Sequence, residues 1–251
     1  MPALSLFDNG AHKNLLLEDL DAGLAVQANQ HLVIHNGQGM VLDPGGHKVY
    51  NRVFAATMGE LRGGTLRYLL LSHQDPDIVA ACNGWLLTTD ADAYCSGLWL
   101  RFIPHFGLDR FVEKRLKPVP DDGMLLDLNG VKMLVLPAHF LHSPGNLHLY
   151  DPVSKILYSG DLGASLDMAY REVPDFDAHI KYMEGFHRRY MSNNRALRLW
   201  AEMARKLDIE IIAPQHGALF RGKEMVNRFI SWCEQLECGV DLLKSYRIPG
   251  Q

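Results

Sequence analysis

Hydrophobic and polar residues change period several times along this chain, and each change marks an element. In "HLVIHNGQGMVLDPGG" (31–46) two short apolar runs flank Asn36-Gly37-Gln38-Gly39. Asn and Gly tolerate the positive φ of a tight turn, so the pattern predicts a β-hairpin, stopped by Asp43-Pro44-Gly45-Gly46. Val49, Val53, Phe54, Met58 and Leu61 then recur near the 3.6 spacing of an amphipathic helix, and "LRYLLL" (66–71) is a compact buried strand. "DIVAACNGWLLTT" (77–89) reads as a helix with Pro76 near its first turn, where a missing N–H costs nothing. "AYCS" (93–96) reads as a strand and "GLWLRFIPHFG" (97–107) as a short helix ended by Pro104 or Gly107. "MLLDLNGVKMLVLPAHF" (124–140) is a second hairpin, turning at Asn129-Gly130, and "NLHLYDPVSKILYSGDLGA" (146–164) a third, turning at Asp151-Pro152. Residues 179–207 carry helical periodicity, "IEIIAPQHG" (209–217) is a strand running into a loop, and 222–237 form a last amphipathic helix.

Strand-rich and helical blocks thus occur twice. The expectation is an α/β (α+β) protein with two sheets packed on each other and helices outside, a four-layer αββα sandwich. A doubly wound parallel sheet is disfavoured by the hairpin signals, because parallel strands need long crossovers. No repeat, low-complexity tract or Pro/Ser linker interrupts the chain, so residues 1–251 are expected to form one domain.

Composition narrows the partners more than the fold. With 47% apolar and 22% charged residues over 251 positions, the chain can bury a sizeable core. A formal net charge of −4 gives no basic field for nucleic acid or an anionic membrane. The start lacks a signal-peptide pattern and no long apolar span exists, so a cytoplasmic location is expected. Cys82, Cys95, Cys233 and Cys238 show no C-x-x-C spacing and read as buried thiols.

Chemistry-capable side chains collect where apolar strands give out: His73, Asp75 and Asp77; His139 and His142; Asp161; His216. Loops at one sheet edge are held rigidly by their strands, which is where sites are built. Imidazole and carboxylate are ordinary ligands for divalent metals, and a bridging carboxylate holds two cations close enough to share a ligand. Read singly, Asp75 before a helix is also a good N-cap. The other histidines, at 12, 31, 35, 47, 105, 148, 179 and 187, read as solvated. Trp85, Trp99, Tyr182 and Tyr190 read as core residues of amphipathic helices, with pocket lining or electron transfer as the alternative.

"LLLSHQDPDI", "PAHFLHSPGN", "ILYSGDLGA" and "IIAPQHGALF", in this order over nearly the whole chain, resemble the metallo-β-lactamase superfamily. More narrowly they resemble oxygen-binding di-iron proteins related to the di-iron domain of flavodiiron proteins, in which H-x-[E/D]-x-D is followed by a His about nineteen residues before a bridging Asp, then by a final His. His142 and Asp161 have that separation. The resemblance implies that His73, Asp75 and His142 bind one metal, Asp77 and His216 the other, and that Asp161 bridges them. His139 competes with His142; the His-Ser-Pro context and the spacing favour His142, leaving His139 beside the ligands or merely at a strand end. "LDPGG" resembles the superfamily's Asp-Pro-Gly turn, which makes Asp43 a structural residue near the site. No catalytic residue is implied beyond the ligands.

The departure is Ile78. Hydrolytic members and many flavodiiron proteins have a histidine there, and it completes the second metal's shell. With isoleucine, coordination positions stay open for water or a diatomic gas, and the wall is apolar. Zinc hydrolases of the superfamily generally have histidine at position 75 as well; three His and three Asp make a harder set that suits two iron ions, with zinc or manganese as alternatives. The expected function is therefore a non-haem di-iron protein that binds O2 or NO, as a sensor or carrier or as a reductase fed by a separate electron donor. The alternatives are a zinc-dependent hydrolase using a metal-bound hydroxide and a partner-binding protein on a degenerate site. The survival of the other ligand positions argues against the last. No Gly-rich phosphate loop is present, so no FMN is expected in this chain. Partners would be the gas, an electron-transfer or signalling protein and, by the resemblance, a second copy in a homodimer.

Overall fold

The computed structural model describes residues 3–17 and 26–250. The first sheet has the order β1 (Leu4–Asp8), β2 (His12–Leu17), β3 (Gln30–His35), β4 (Gln38–Leu42), β5 (Thr65–Leu70), β6 (Asp92–Ser96) and β7 (Leu116–Val119). β1 to β4 pair antiparallel, and β4 to β7 pair parallel. The second sheet takes β8 (Met124–Leu128), β9 (Val131–Pro137), β10 (Leu147–Asp151), β11 (Ile156–Tyr158), β12 (Ile211–Ala213) and β13 (Phe220–Arg221), side by side in that order. All its pairs are antiparallel except β11 with β12. The helices are α1 (Tyr50–Leu61), α2 (Pro76–Val79), α3 (Cys82–Thr88), α4 (Phe176–Tyr190), α5 (Asn194–Ala204) and α6 (Lys223–Gln235).

Strand alternation builds the layers. Val33, Met40, Leu42 and Leu70 face the second sheet and meet Leu128, Met133, Leu149 and Ile156 in a dry inter-sheet core. Their neighbours Leu32, Ile34, Val41 and Leu69 point the other way, against Val53 of α1 and Trp85 of α3. On the far side Leu157 and Ile212 pack against Met183, Trp200 and Phe229 from α4, α5 and α6. The result is the expected αββα stack, and the apolar runs are continuous because both sheets are covered on both faces.

The turns follow the sequence chemistry. Asn36 and Gly37 have φ of 45° and 79°, and Asn129 and Gly130 have 51° and 98°, the left-handed pair of a type I′ hairpin. Three expectations need correction. The helix over 77–89 is two short helices, α2 and α3; 97–107 contains only a 3₁₀ turn at Ile103–Phe106; and 179–207 breaks at 191–193, where Asn193 caps α5 by accepting from the Ala196 N–H at 2.9 Å. Among the described residues no helix is long and apolar enough to cross a membrane.

Candidate metal centre

The turn after β5 is clamped before it delivers its ligands. Asp43, with φ of 51°, accepts from the Ser72 N–H through Oδ1 at 2.8 Å, and its own N–H donates to the Leu70 carbonyl at 2.9 Å. Ser72 Oγ lies 3.0 Å from His73 Nδ1, which turns His73 Nε2 inward. Asp75 occupies the N-cap position of α2 yet makes no capping bond. Its carboxylate instead faces the histidines, so the capping reading of this residue fails. Gln74 Nε2 donates to Asp75 Oδ1 at 2.8 Å, and Gln74 in turn accepts from Ser143 Oγ at 2.6 Å, tying the β5 turn to the loop that carries His142.

The ligating atoms then converge. His142 Nε2 lies 3.3 Å from Asp75 Oδ2 and 3.5 Å from Asp161 Oδ2. His73 Nε2 is 3.7 Å from both Asp75 Oδ2 and Asp161 Oδ1. His216 Nε2 is 3.4 Å from Asp77 Oδ2 and 3.5 Å from Asp161 Oδ1. Atoms each about 2.1 Å from a shared cation lie about 3.0–3.6 Å apart, so the separations of His142 and His216 fit coordination, and those of His73, at 3.7 Å, lie just beyond that range. A second observation agrees: Asp161 is 4% exposed and its Oδ1 has no hydrogen-bond partner. Orphaned buried carboxylate oxygen is costly unless a cation satisfies it. Among the described residues, His73, His142 and Asp161 bring their ligand atoms within 4.8 Å of one another.

Charge follows geometry. Burial opposes protonation of His73, but the carboxylates of Asp161, Asp75 and Asp43 outweigh it and push the ring up to about 9. Hydrogen bonds from His142 and His73 hold Asp75 well below the usual carboxylate range. Burial raises Asp77, and raises Asp43 to about 6. The cluster is thus acidic enough to gather positive charge, and a divalent cation entering it displaces a proton from imidazole.

The remaining candidates separate. His139 does not join the ligands; its Nε2 pairs with the Asp121 carbonyl at 2.9 Å. Ile78 is wholly buried and packs in the core beneath the first sheet with Val79 and Trp85. Tyr190 stands 5.7 Å from His142 ring to ring, edge-on, and stacks on Phe186 at 4.7 Å. Trp85 is core, as read. The solvated reading fails for His12, His31, His148, His179 and His187, all buried. His187 has a role at the site: its Nδ1–H donates to the Met183 carbonyl at 2.7 Å, and Nε2 accepts from the Gly163 N–H at 2.9 Å, two residues past Asp161. His216 is steered likewise, its Nδ1–H donating to the Gln27 carbonyl at 2.6 Å, while Asn29 Nδ2 donates to the carbonyls of Pro214 and Gly217. Nothing local in the sequence marks these three residues, because each acts on a segment far along the chain.

The chain is similar to several known proteins. A family model described as "ODP family beta lactamase" matches residues 26–217. The solved structure of chemotaxis sensor ODP as a peroxy diiron species is 39% identical, with a TM-score of 0.86, covering 96% of this chain and 98% of that one. The apo state of that sensor from T. denticola is 38% identical, with a TM-score of 0.84, over 96% and 97%. Rubredoxin oxygen:oxidoreductase from Desulfovibrio gigas shares the fold, with a TM-score of 0.74 at 14% identity over 93% of this chain and 61% of that one. Among curated proteins, diflavin flavoprotein A 3 of Nostoc sp. (strain PCC 7120) is 25% identical over 227 residues; the match takes in 86% of this chain but only 38% of that protein's length.

Proposed function

The chain belongs to the ODP family beta lactamases, and from that premise we propose that it is a non-haem di-iron protein that binds O2 as the input of a sensor. The observation that carries the reading is Asp161, whose two buried oxygens face His142 on one side and both His73 and His216 on the other. His73, Asp75 and His142 would hold one iron and Asp77 and His216 the second, with Asp161 placed to serve both sets. Ferrous ions bound there would supply electrons and open coordination positions for a diatomic gas. The protein supplies the rest. Ser72 and the Gln27 carbonyl fix the tautomers of His73 and His216, the usual office of groups behind metal-bound histidines. Asp43 and His187 pin the loops, and the three carboxylates neutralise most of the added positive charge.

The sensor reading draws on the 39% identical structure, whose subject is a chemotaxis sensor. A signalling protein that reads the gas-bound state is the partner it calls for, with a separate electron donor if the bound gas is turned over and a second copy of the chain in a homodimer. A hydrolytic reading finds no support at the two positions that should carry it, Asp75 and Ile78.

The test is anaerobic reconstitution with ferrous ion, followed by admission of O2 while the visible spectrum is recorded. Two irons per chain and a new charge-transfer band on oxygenation are expected. No spectral response, together with zinc-dependent cleavage of a generic ester, would overturn the reading.

A further inference from the structure

Two cavities flank the half of the centre built by Asp77 and His216, and one short segment divides them. Val26, Ala28 and Gln30 line a cavity of about 550 Å³. Gln27 and Asn29, the residues between, line another of about 720 Å³ with Ser165, Asp167 and Tyr170. The partition is legible in "VQANQ", apolar and polar by turns, and it is locked to the centre through the Gln27 carbonyl on His216. The larger cavity is mixed, since Leu16, Leu166 and Met168 line it beside the polar groups. The smaller one is walled by Val26, Ala28, Val49, Pro76 and Ala80, and Asp77 itself forms part of the wall. Gly46 brings the opposite wall close: a Cβ there would stand 3.1 Å from the Pro76 carbonyl oxygen and 3.5 Å from Asp77 Cα.

We propose that the cavity bounded by Val26, Ala28, Val49, Pro76 and Ala80 is a binding site for small neutral apolar gas molecules that delivers them to the Asp77 side of the centre. Three observations converge. The cavity abuts Asp77, on the side where the protein offers only Asp77, His216 and a share of Asp161, against His73, Asp75, His142 and a share of Asp161 on the other. Its wall is apolar, so water and anions gain nothing by entering, whereas a gas that prefers an apolar phase is concentrated there. Its polar lining is His47 and Lys48 at the edge and the buried amide of Gln30, 1% exposed, besides Asp77, and these offer no set that would hold a charged substrate.

That the gas is O2 rests on the function proposed above; that the cavity takes an apolar gas does not, and xenon tests it on metal-free protein. Crystals pressurised with xenon should show the atom between Ala28, Val49 and Pro76, and Ala28→Phe should expel it. Val26→Asp, at a position 49% exposed and therefore harmless to folding, should weaken xenon binding from the mouth. In iron-loaded protein Ala28→Phe should slow O2 association by about tenfold and slow dissociation by the same factor, since an obstructed passage acts on both directions. An empty cavity under xenon, or O2 association rates that neither variant changes, would overturn the proposal. If xenon binds and Ala28→Phe expels it while the iron-loaded protein ignores O2, the gas site stands and the O2 reading of the centre falls.

Discussion

Asp161 is buried and faces three imidazoles, and because the proposed centre gives it a part in both metal sites it is the most informative residue to remove. Asp161→Ala is expected to take the metal content, measured by plasma emission on reconstituted protein, from about two per chain to near zero. Asp77→Ala should lose about one, because it faces His216 alone among the imidazoles. Loss of a single metal in Asp161→Ala would show that it does not bridge. Ile78 calls for a different experiment. Its side chain is wholly enclosed by apolar neighbours, so Ile78→His buries an imidazole and should cost about 2–4 kcal/mol in urea unfolding of the metal-free protein. If the new ring reaches the second metal, bound O2 should also be lost or consumed faster, read as decay of the oxygenated spectrum. Unchanged stability and unchanged decay together would show that this position shapes neither the core nor the centre.

Single residues matter here because particular elements aim them. The loop after β11 carries Asp161 and is tied to α4 closest to that residue by the Gly163 N–H to His187 Nε2, and farther along by the Leu166 N–H to the Tyr182 carbonyl and by Tyr170 Oη against His179 Nδ1. His187→Leu keeps the volume and removes the acceptor, so affinity for a divalent cation is expected to fall about tenfold to a hundredfold by chelator competition, with the fold intact by circular dichroism. An unchanged affinity would show that the loop holds its shape without that bond. His187 also shows what a sequence conceals. The ligand rack was legible because its residues alternate at a strand end and the other donors follow apolar strands, and the hairpins were legible because Asn-Gly turns announce themselves. The β1–β2 hairpin was not, although Asn9-Gly10 carries the same turn signature, because polar residues interrupt the apolar pattern on both sides of it, at Ser5 and Asp8 and at His12, Lys13 and Asn14. Nor were the buried histidines. Their partners lie far off in sequence, Asp151 for His12, Trp200 for His148 and Gly163 for His187, and residue type alone places such rings in water. α2 and α3 read as one helix because Ile78, Val79, Cys82 and Leu86 keep a helical spacing across the break at Ala80 and Ala81.

At the scale of the whole molecule those histidines set how the fold responds to acid. His12 Nε2 and Asp151 Oδ2 meet at 2.7 Å across the two sheets, with Asn14 Nδ2 donating to the same oxygen, so the sheets are joined by a polar contact inside an apolar core. His31, His148, His179 and His187 are buried without carboxylate hydrogen-bond partners, and burial lowers them to about 4, 3, 4 and 4. Above about pH 6.5 these rings are neutral in both folded and unfolded chains and cost nothing. As the pH falls below that value the unfolded chain takes up their protons and the folded one does not, so stability is lost progressively down to the folded values. Four such protons correspond to roughly 5 kcal/mol per pH unit, enough to remove a stability in the lower part of the ordinary range of about 5–15 kcal/mol before pH 4. His73 acts in the opposite sense: in metal-free protein its raised value favours the folded state below about pH 6.5, and that contribution is lost as the pH rises through about 9. Metal-free protein should therefore be most stable near pH 6.5, and its urea midpoint should fall steeply between pH 6 and 5. His148→Gln keeps an acceptor for the Trp200 N–H, a bond of 3.2 Å, and removes one titrating ring. It should cut the acid slope by about a quarter, whereas a slope that does not change would mean that His148 finds a proton acceptor in the fold and contributes nothing to acid unfolding.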